Sequence, residues 1–116
     1  MNKFLKILAF VFMALFSYAA VVQHNDPDAV KWYAIYGMAA FASLLFALGN
    51  LRLFWALLLA IFYFGLAIYT WPEKFEGVTI GEGDIVNIER GREALGLLIA
   101  GIAMSIYAIA NRTSSN

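Results

Sequence analysis

The run LFWALLLAIFYFGLAIYTWP, residues 53 to 72, contains no charged side chain. It has the roughly 20 residues that a helix rising about 1.5 Å per residue needs to cross about 30 Å of hydrocarbon. Cutting the rest of the chain at its charged residues leaves three more long apolar stretches: Ile7 to Asn25, Trp32 to Leu51 and Ala94 to Asn111. A water-soluble core in a chain of 116 residues could not hide a composition that is 63% apolar and 14% charged. The pattern predicts an all-α integral membrane protein, an antiparallel four-helix bundle with spans near residues 4–23, 28–48, 51–71 and 88–110. The chain reads as one four-span domain, 1–116, with an extramembrane connection at 72–87.

MNKFLK followed by ILAFVFMALF and SYAA also has the layout of a secretory signal peptide, but the segment is expected to be retained as the first span. The absence of cysteine removes disulfides, thiolate nucleophiles and thiolate metal sites. Four spans place both termini and the Gly49-Asn50 connection at one end. Lysine and arginine tie between the ends, with Lys3, Lys6, Arg52 and Arg112 against Lys31, Lys74, Arg90 and Arg92. The acids do not tie: Asp26, Asp28, Glu73, Glu76, Glu82, Asp84, Glu89 and Glu93 all fall at the loop end, where they can neutralise its bases. Both termini are therefore expected in the cytoplasm.

Tyr18, Trp32, Tyr33, Tyr36, Tyr69 and Trp71 near the acidic end, and Trp55 and Tyr107 near the basic one, read as interfacial belts. Gly49 suits a left-handed helix cap and Asn50 the start of the next helix, which predicts a tight hairpin between spans two and three. The 72–87 connection contains Gly77, Gly81 and Gly83 and two β-favouring pieces, VTI and IVNI.

Two polar patches interrupt the apolar pattern. In HNDPDAVKW, from residue 24, Asp26 is expected as a helix N-cap, Pro27 at the first helical position and Asp28 in the first turn. Gln23, His24 and Asn25 are left over. In NIERGREALG, residues 87–96, Asn87 is the expected cap. Stepping by three and four from Glu93 reaches Gly96, Ala100, Ala103 and Tyr107, a small-residue face suited to close helix packing. Glu89 shares that face, Arg92 flanks it and Arg90 points away. Gln23 lies in line with Ala20, Ala19, Phe16, Phe12 and Ala9. A carboxylate directed into a membrane bundle is costly unless paired. The two patches are therefore expected to meet in one polar cluster of Gln23, Asn25, Asp26, Asp28, Arg92 and Glu93, with Gly96, Ala100 and Ala103 as packing positions.

AAVVQHNDPDAVKWYAIY, followed two spans later by ERGREALGLLI, resembles transmembrane family 220, small four-helix proteins with recurring V-Q-x-N-D-P-D and G-R-E segments. The resemblance implies a multi-pass fold and singles out Gln23, Asn25, Asp26, Pro27, Asp28, Trp32, Arg92, Glu93 and Gly96, while His24 falls at a looser position. It implies no activity.

For function, the first expectation is an accessory or scaffold subunit of a membrane assembly. The alternative is binding or transport of a small ligand, lipid or ion at the polar cluster. No charge sits in the middle of a span, which argues against an ion path through one copy. Catalysis has the least support. The spacing of His24, Asp26, Asp28 and Glu93 matches no metal motif, and there is no phosphate-cradling glycine loop or basic nucleic-acid surface. Neither metal nor cofactor is expected. The expected partners are membrane lipids and other membrane subunits or further copies of the chain, not nucleic acid.

Overall fold

A computed structural model describes residues 2–25, 27–72 and 85–114. Its helices are α1 (Lys3–Val21), a short 3-10 turn (Val22–Asn25), α2 (Ala29–Ala47), α3 (Leu53–Thr70) and α4 (Ile85–Ser114). All four α-helices are long and apolar enough to cross a membrane. They form an elongated bundle of 49 × 24 × 22 Å.

Each helix buries a seam with alternating steps of four and three, the spacing of left-handed helix packing. On α2 the seam is Trp32, Tyr36, Ala39, Ser43 and Phe46, and on α3 it is Ala56, Ala60, Tyr63, Ala67 and Thr70. On α1, Ala9 and Phe16 are buried, with Phe12, Ala19 and Ala20 packed beside them. The backbones approach most closely within two pairs, α1 with α2 and α3 with α4; across the pairs, the main approach is between α2 and α4. Small residues permit this closeness. On α4, a Cβ at Gly101 would lie 2.9 Å from the Phe64 ring of α3.

Two buried tyrosines fasten one pair to the other. The Tyr107 hydroxyl of α4 donates to Ser43 Oγ of α2 at 2.7 Å. The same ring stacks on Phe46 at 4.4 Å and meets Phe12 of α1 edge-on at 6.4 Å. From α3, the Tyr63 hydroxyl donates to the Ile35 carbonyl at 2.6 Å. A buried hydroxyl left without a partner in such a core would cost about 1–3 kcal/mol, so these bonds constrain how the pairs dock. At the helix ends, the Asn111 side-chain amide donates to the Leu51 carbonyl at 2.7 Å. Arg90 donates to the Thr70 and Tyr69 carbonyls at 3.1 and 3.0 Å, satisfying backbone acceptors at the end of α3.

Several local expectations are corrected. Gly49 does take the left-handed conformation, with φ of 79°. Its N–H bonds to the Phe46 carbonyl and that of Asn50 to Leu45, a Schellman closure of α2. Asn50 therefore ends α2 rather than starting α3, whose N-cap is Arg52. Nor do α2 and α3 form a tight hairpin. Their backbones do not pack closely, and an apolar groove lies between them. Pro27 sits in a turn before α2 instead of at its first position, and Asp28 is the N-cap, without a side-chain capping bond. At the other patch α4 already begins at Ile85, so IVNI is helical and Asn87 lies within the first turn rather than capping it. Asp26 and residues 73–84, including VTI and Gly77, Gly81 and Gly83, lie outside the described residues, as do the side chains of Asn25 and Asn87.

Candidate functional site

The end of α1, the turn after it and the start of α2 face the start of α4 across a cavity of about 630 Å³. One wall is Val22 and Gln23 from the 3-10 turn, Pro27 and Asp28 from the connection, and Trp32 and Tyr36 from α2; the other is Glu89, Arg92 and Glu93. The spacing explains the second wall: on a helix, Glu89, Arg92 and Glu93 fall on one face, three and four residues apart. Glu93 is half-buried, while Glu89, Arg92 and Asp28 are exposed at the mouth. Gln23 is half-buried on the opposite side.

The floor is aromatic. Trp32 and Tyr36 are stacked at 5.9 Å, and Tyr36 continues onto Phe16 of α1 at 6.4 Å. The Lys31 ammonium lies 5.0 Å from the Trp32 ring centroid, so the outer part of this wall already attracts a cation. Tyr36 also fixes the depth of the cavity. Its hydroxyl packs so closely on Gly96 that a Cβ there would collide with it. Glycine at 96 is thus a requirement of close approach between α2 and α4.

Of the residues expected to cluster, Gln23, Asp28, Arg92 and Glu93 line this one cavity. His24 does not line it. Its Nδ1 lies 3.2 Å from the Val21 carbonyl, a local contact at the end of α1. Ala100 and Ala103 are fully buried further along α4. No group of three or more histidine, aspartate or glutamate side chains suited to a metal occurs among the described residues.

The belt reading of the aromatics is corrected at three positions. Trp32, Tyr36 and Tyr107 are 2%, 7% and 0% exposed, so they belong to the interior, whereas Tyr18, Tyr69, Trp71 and Trp55 are exposed as anchors should be. Tyr36 and Glu89 are site residues that sequence reasoning left out of the cluster, although Glu89 was placed on the same helical face as Glu93. For Tyr36 the signal was available: it continues the four-three spacing of Ala39, Ser43 and Phe46.

The profile described as "Transmembrane family 220, helix" matches residues 15–109, from the middle of α1 nearly to the end of α4. The chain belongs to transmembrane family 220. No solved structure matches it. Membership and the four apolar helices make it an integral, multi-pass membrane protein. Both walls of the cavity fall within the matched region.

Proposed function

We propose that this family 220 member is a membrane-embedded binding protein whose cavity takes a small ligand bearing an ammonium group, entering from the acidic end. The observation that carries the reading is the make-up of the cavity walls: three carboxylates, Asp28, Glu89 and Glu93, against one guanidinium, Arg92, above an aromatic floor. A formal excess of negative charge, which persists when the Lys31 ammonium beside Trp32 is counted, attracts a cation. The volume suits a small molecule, since ligand pockets generally run from about 300 to 1,000 Å³. Arg92 and the Gln23 amide supply donors for an acceptor group carried next to the ammonium.

An accessory or scaffold role is supported less specifically. Its basis is exposed apolar surface, such as Phe54, Ile61 and Ile68, which lipid alone satisfies. In our reading both termini are cytoplasmic, supported by the confinement of all eight acidic residues to the other end. Protease access to a tag at either terminus in sealed vesicles tests that orientation.

Binding is tested with the purified full-length chain in detergent, titrated with choline and ethanolamine, with acetate as the anionic control. Saturable thermal stabilisation by the amines, accompanied by a change in Trp32 emission and abolished in Glu93→Gln, is expected. Equal response to acetate, or none to either amine, overturns the reading.

A further inference from the structure

The second large opening lies at the other end of the molecule and has different chemistry. The groove between the diverging α2 and α3 has a volume of about 600 Å³. Met38, Phe41 and Leu45 of α2 and Trp55, Leu58 and Phe62 of α3 form its walls, and Asn50 and Arg52 stand at its outer end. From the groove geometry we infer a binding site for an anionic phospholipid, with one acyl chain between α2 and α3 and the phosphate at Arg52 and Asn50.

Three observations converge on that occupant. The first is charge. Arg52 is exposed, and among the described residues its guanidinium has no hydrogen-bond or ion-pair partner. No aspartate or glutamate lies at this end of the sequence to supply one. An arginine fork matches phosphate oxygens in geometry as well as charge, and the neighbouring Asn50 amide is exposed.

The second is length. Along α3 the groove runs from Arg52 to Phe62, which at 1.5 Å per residue is about 15 Å. That is half of a hydrocarbon core of about 30 Å. The groove therefore spans one leaflet, from the headgroup level to the midplane. A transmembrane helix from a partner or a second copy would need a face about twice as long.

The third is polarity. Below Arg52 the walls are aliphatic and aromatic side chains, and the Trp55 indole N–H, next to the headgroup end, is the one side-chain hydrogen-bond donor among the lining residues there. Exposed Trp55, one turn below Arg52, is placed where indole rings anchor at the headgroup boundary. The Asn111 amide bonded to the Leu51 carbonyl holds the connection that carries Asn50 and Arg52 against the end of α4, so the phosphate-binding groups sit on a tethered segment.

The test is native mass spectrometry of the full-length chain released from detergent micelles containing phosphatidylglycerol or phosphatidylcholine with identical acyl chains. At least fivefold more phosphatidylglycerol than phosphatidylcholine is expected to stay bound. Arg52→Gln should bring phosphatidylglycerol down to the phosphatidylcholine level, Arg52→Lys, which keeps the charge but not the fork, should retain an intermediate amount, and Lys6→Gln, on the same end, should change nothing. Leu58→Trp, which fills the groove from its partly exposed wall and leaves Arg52 intact, should reduce retention of both lipids and provides the test if Arg52→Gln fails to fold. Equal retention of the two lipids, loss to the same degree in Lys6→Gln, full retention in Leu58→Trp, or a dimer that persists regardless of lipid would overturn the assignment.

Discussion

Removing the hydroxyl of Ser43 should cost more than removing that of Tyr107, although both changes delete the same hydrogen bond. The bond runs from the Tyr107 hydroxyl to Ser43 Oγ at 2.7 Å, with both residues fully buried. In Tyr107→Phe the ring keeps its stack on Phe46, and the stranded serine can turn its proton to the carbonyl one helical turn back, at Ala39. The loss should then be close to the average for hydrogen bonds between membrane helices, about 0.6 kcal/mol. In Ser43→Ala the phenol O–H has no local backbone to reach and stays buried unmade, at about 1–3 kcal/mol. The double variant should resemble Tyr107→Phe alone, which gives a coupling as large as the Ser43→Ala loss itself, about 1–3 kcal/mol. Equilibrium unfolding in mixed micelles of mild detergent and dodecyl sulfate, followed by circular dichroism, measures all four proteins. Additive single effects, or a larger loss in Tyr107→Phe than in Ser43→Ala, would show that this bond does not fasten the two helix pairs.

Three further outcomes follow from particular contacts. Gly101→Leu should destabilise by about 1–3 kcal/mol in the same unfolding assay, because the new side chain must displace the Phe64 ring in a closely packed pair. Gly96→Ala should push Tyr36 toward the cavity and shift Trp32 emission through their stacked contact, with unfolding cost in the lower part of that range; unchanged emission would mean Tyr36 has another way to yield. Arg90→Ala should cost about 1 kcal/mol and speed amide exchange around the start of α4, and Arg90→Lys should not restore it, since one ammonium cannot span the Thr70 and Tyr69 carbonyls as the planar fork does.

The spans were legible because hydrocarbon imposes a length and forbids charge, and both conditions can be read one residue at a time. The ends were less so. Pro27 reads as a first helical residue, yet α2 begins two residues later at Ala29. Local capping preferences, worth about 0.5–2 kcal/mol, were outweighed there by the geometry of the turn. The same holds at Asn50, where closing α2 through a Schellman pair took the residue that could have opened α3. Gln23, Asp28, Arg92 and Glu93 were legible as cavity-lining residues because each stands out against an apolar background. Tyr36 was not, since an aromatic near a span end suits both a lipid belt and a packed seam. Burial separates those uses, and burial depends on which helix lies opposite. The divergence of α2 and α3 was likewise invisible: a short connection fixes how near two helix ends are, but not how closely the rest of the helices pack.

That divergence and the polar cavity have a common origin in the seam between the two helix pairs. Within a pair, small residues such as Ala56, Ala60, Ala67 and Gly101 let the backbones close together. Between pairs, the connections are made by Tyr36 on Gly96, Tyr63 on Ile35, and Tyr107 on Ser43 and Phe46, whose rings fill the space between the pairs. A ring-filled seam is closed where the rings are and open beyond them. It opens at one end beside Glu89, Arg92 and Glu93, and at the other beside Arg52. Because acidic residues are confined to the first of those ends, the same packing device leaves a carboxylate-lined cavity at one membrane face and a cation-headed apolar groove at the other. Substitutions that alter how the pairs dock, Ser43→Ala foremost, should therefore disturb both openings at once, whereas Glu93→Gln and Arg52→Gln should each disturb only its own.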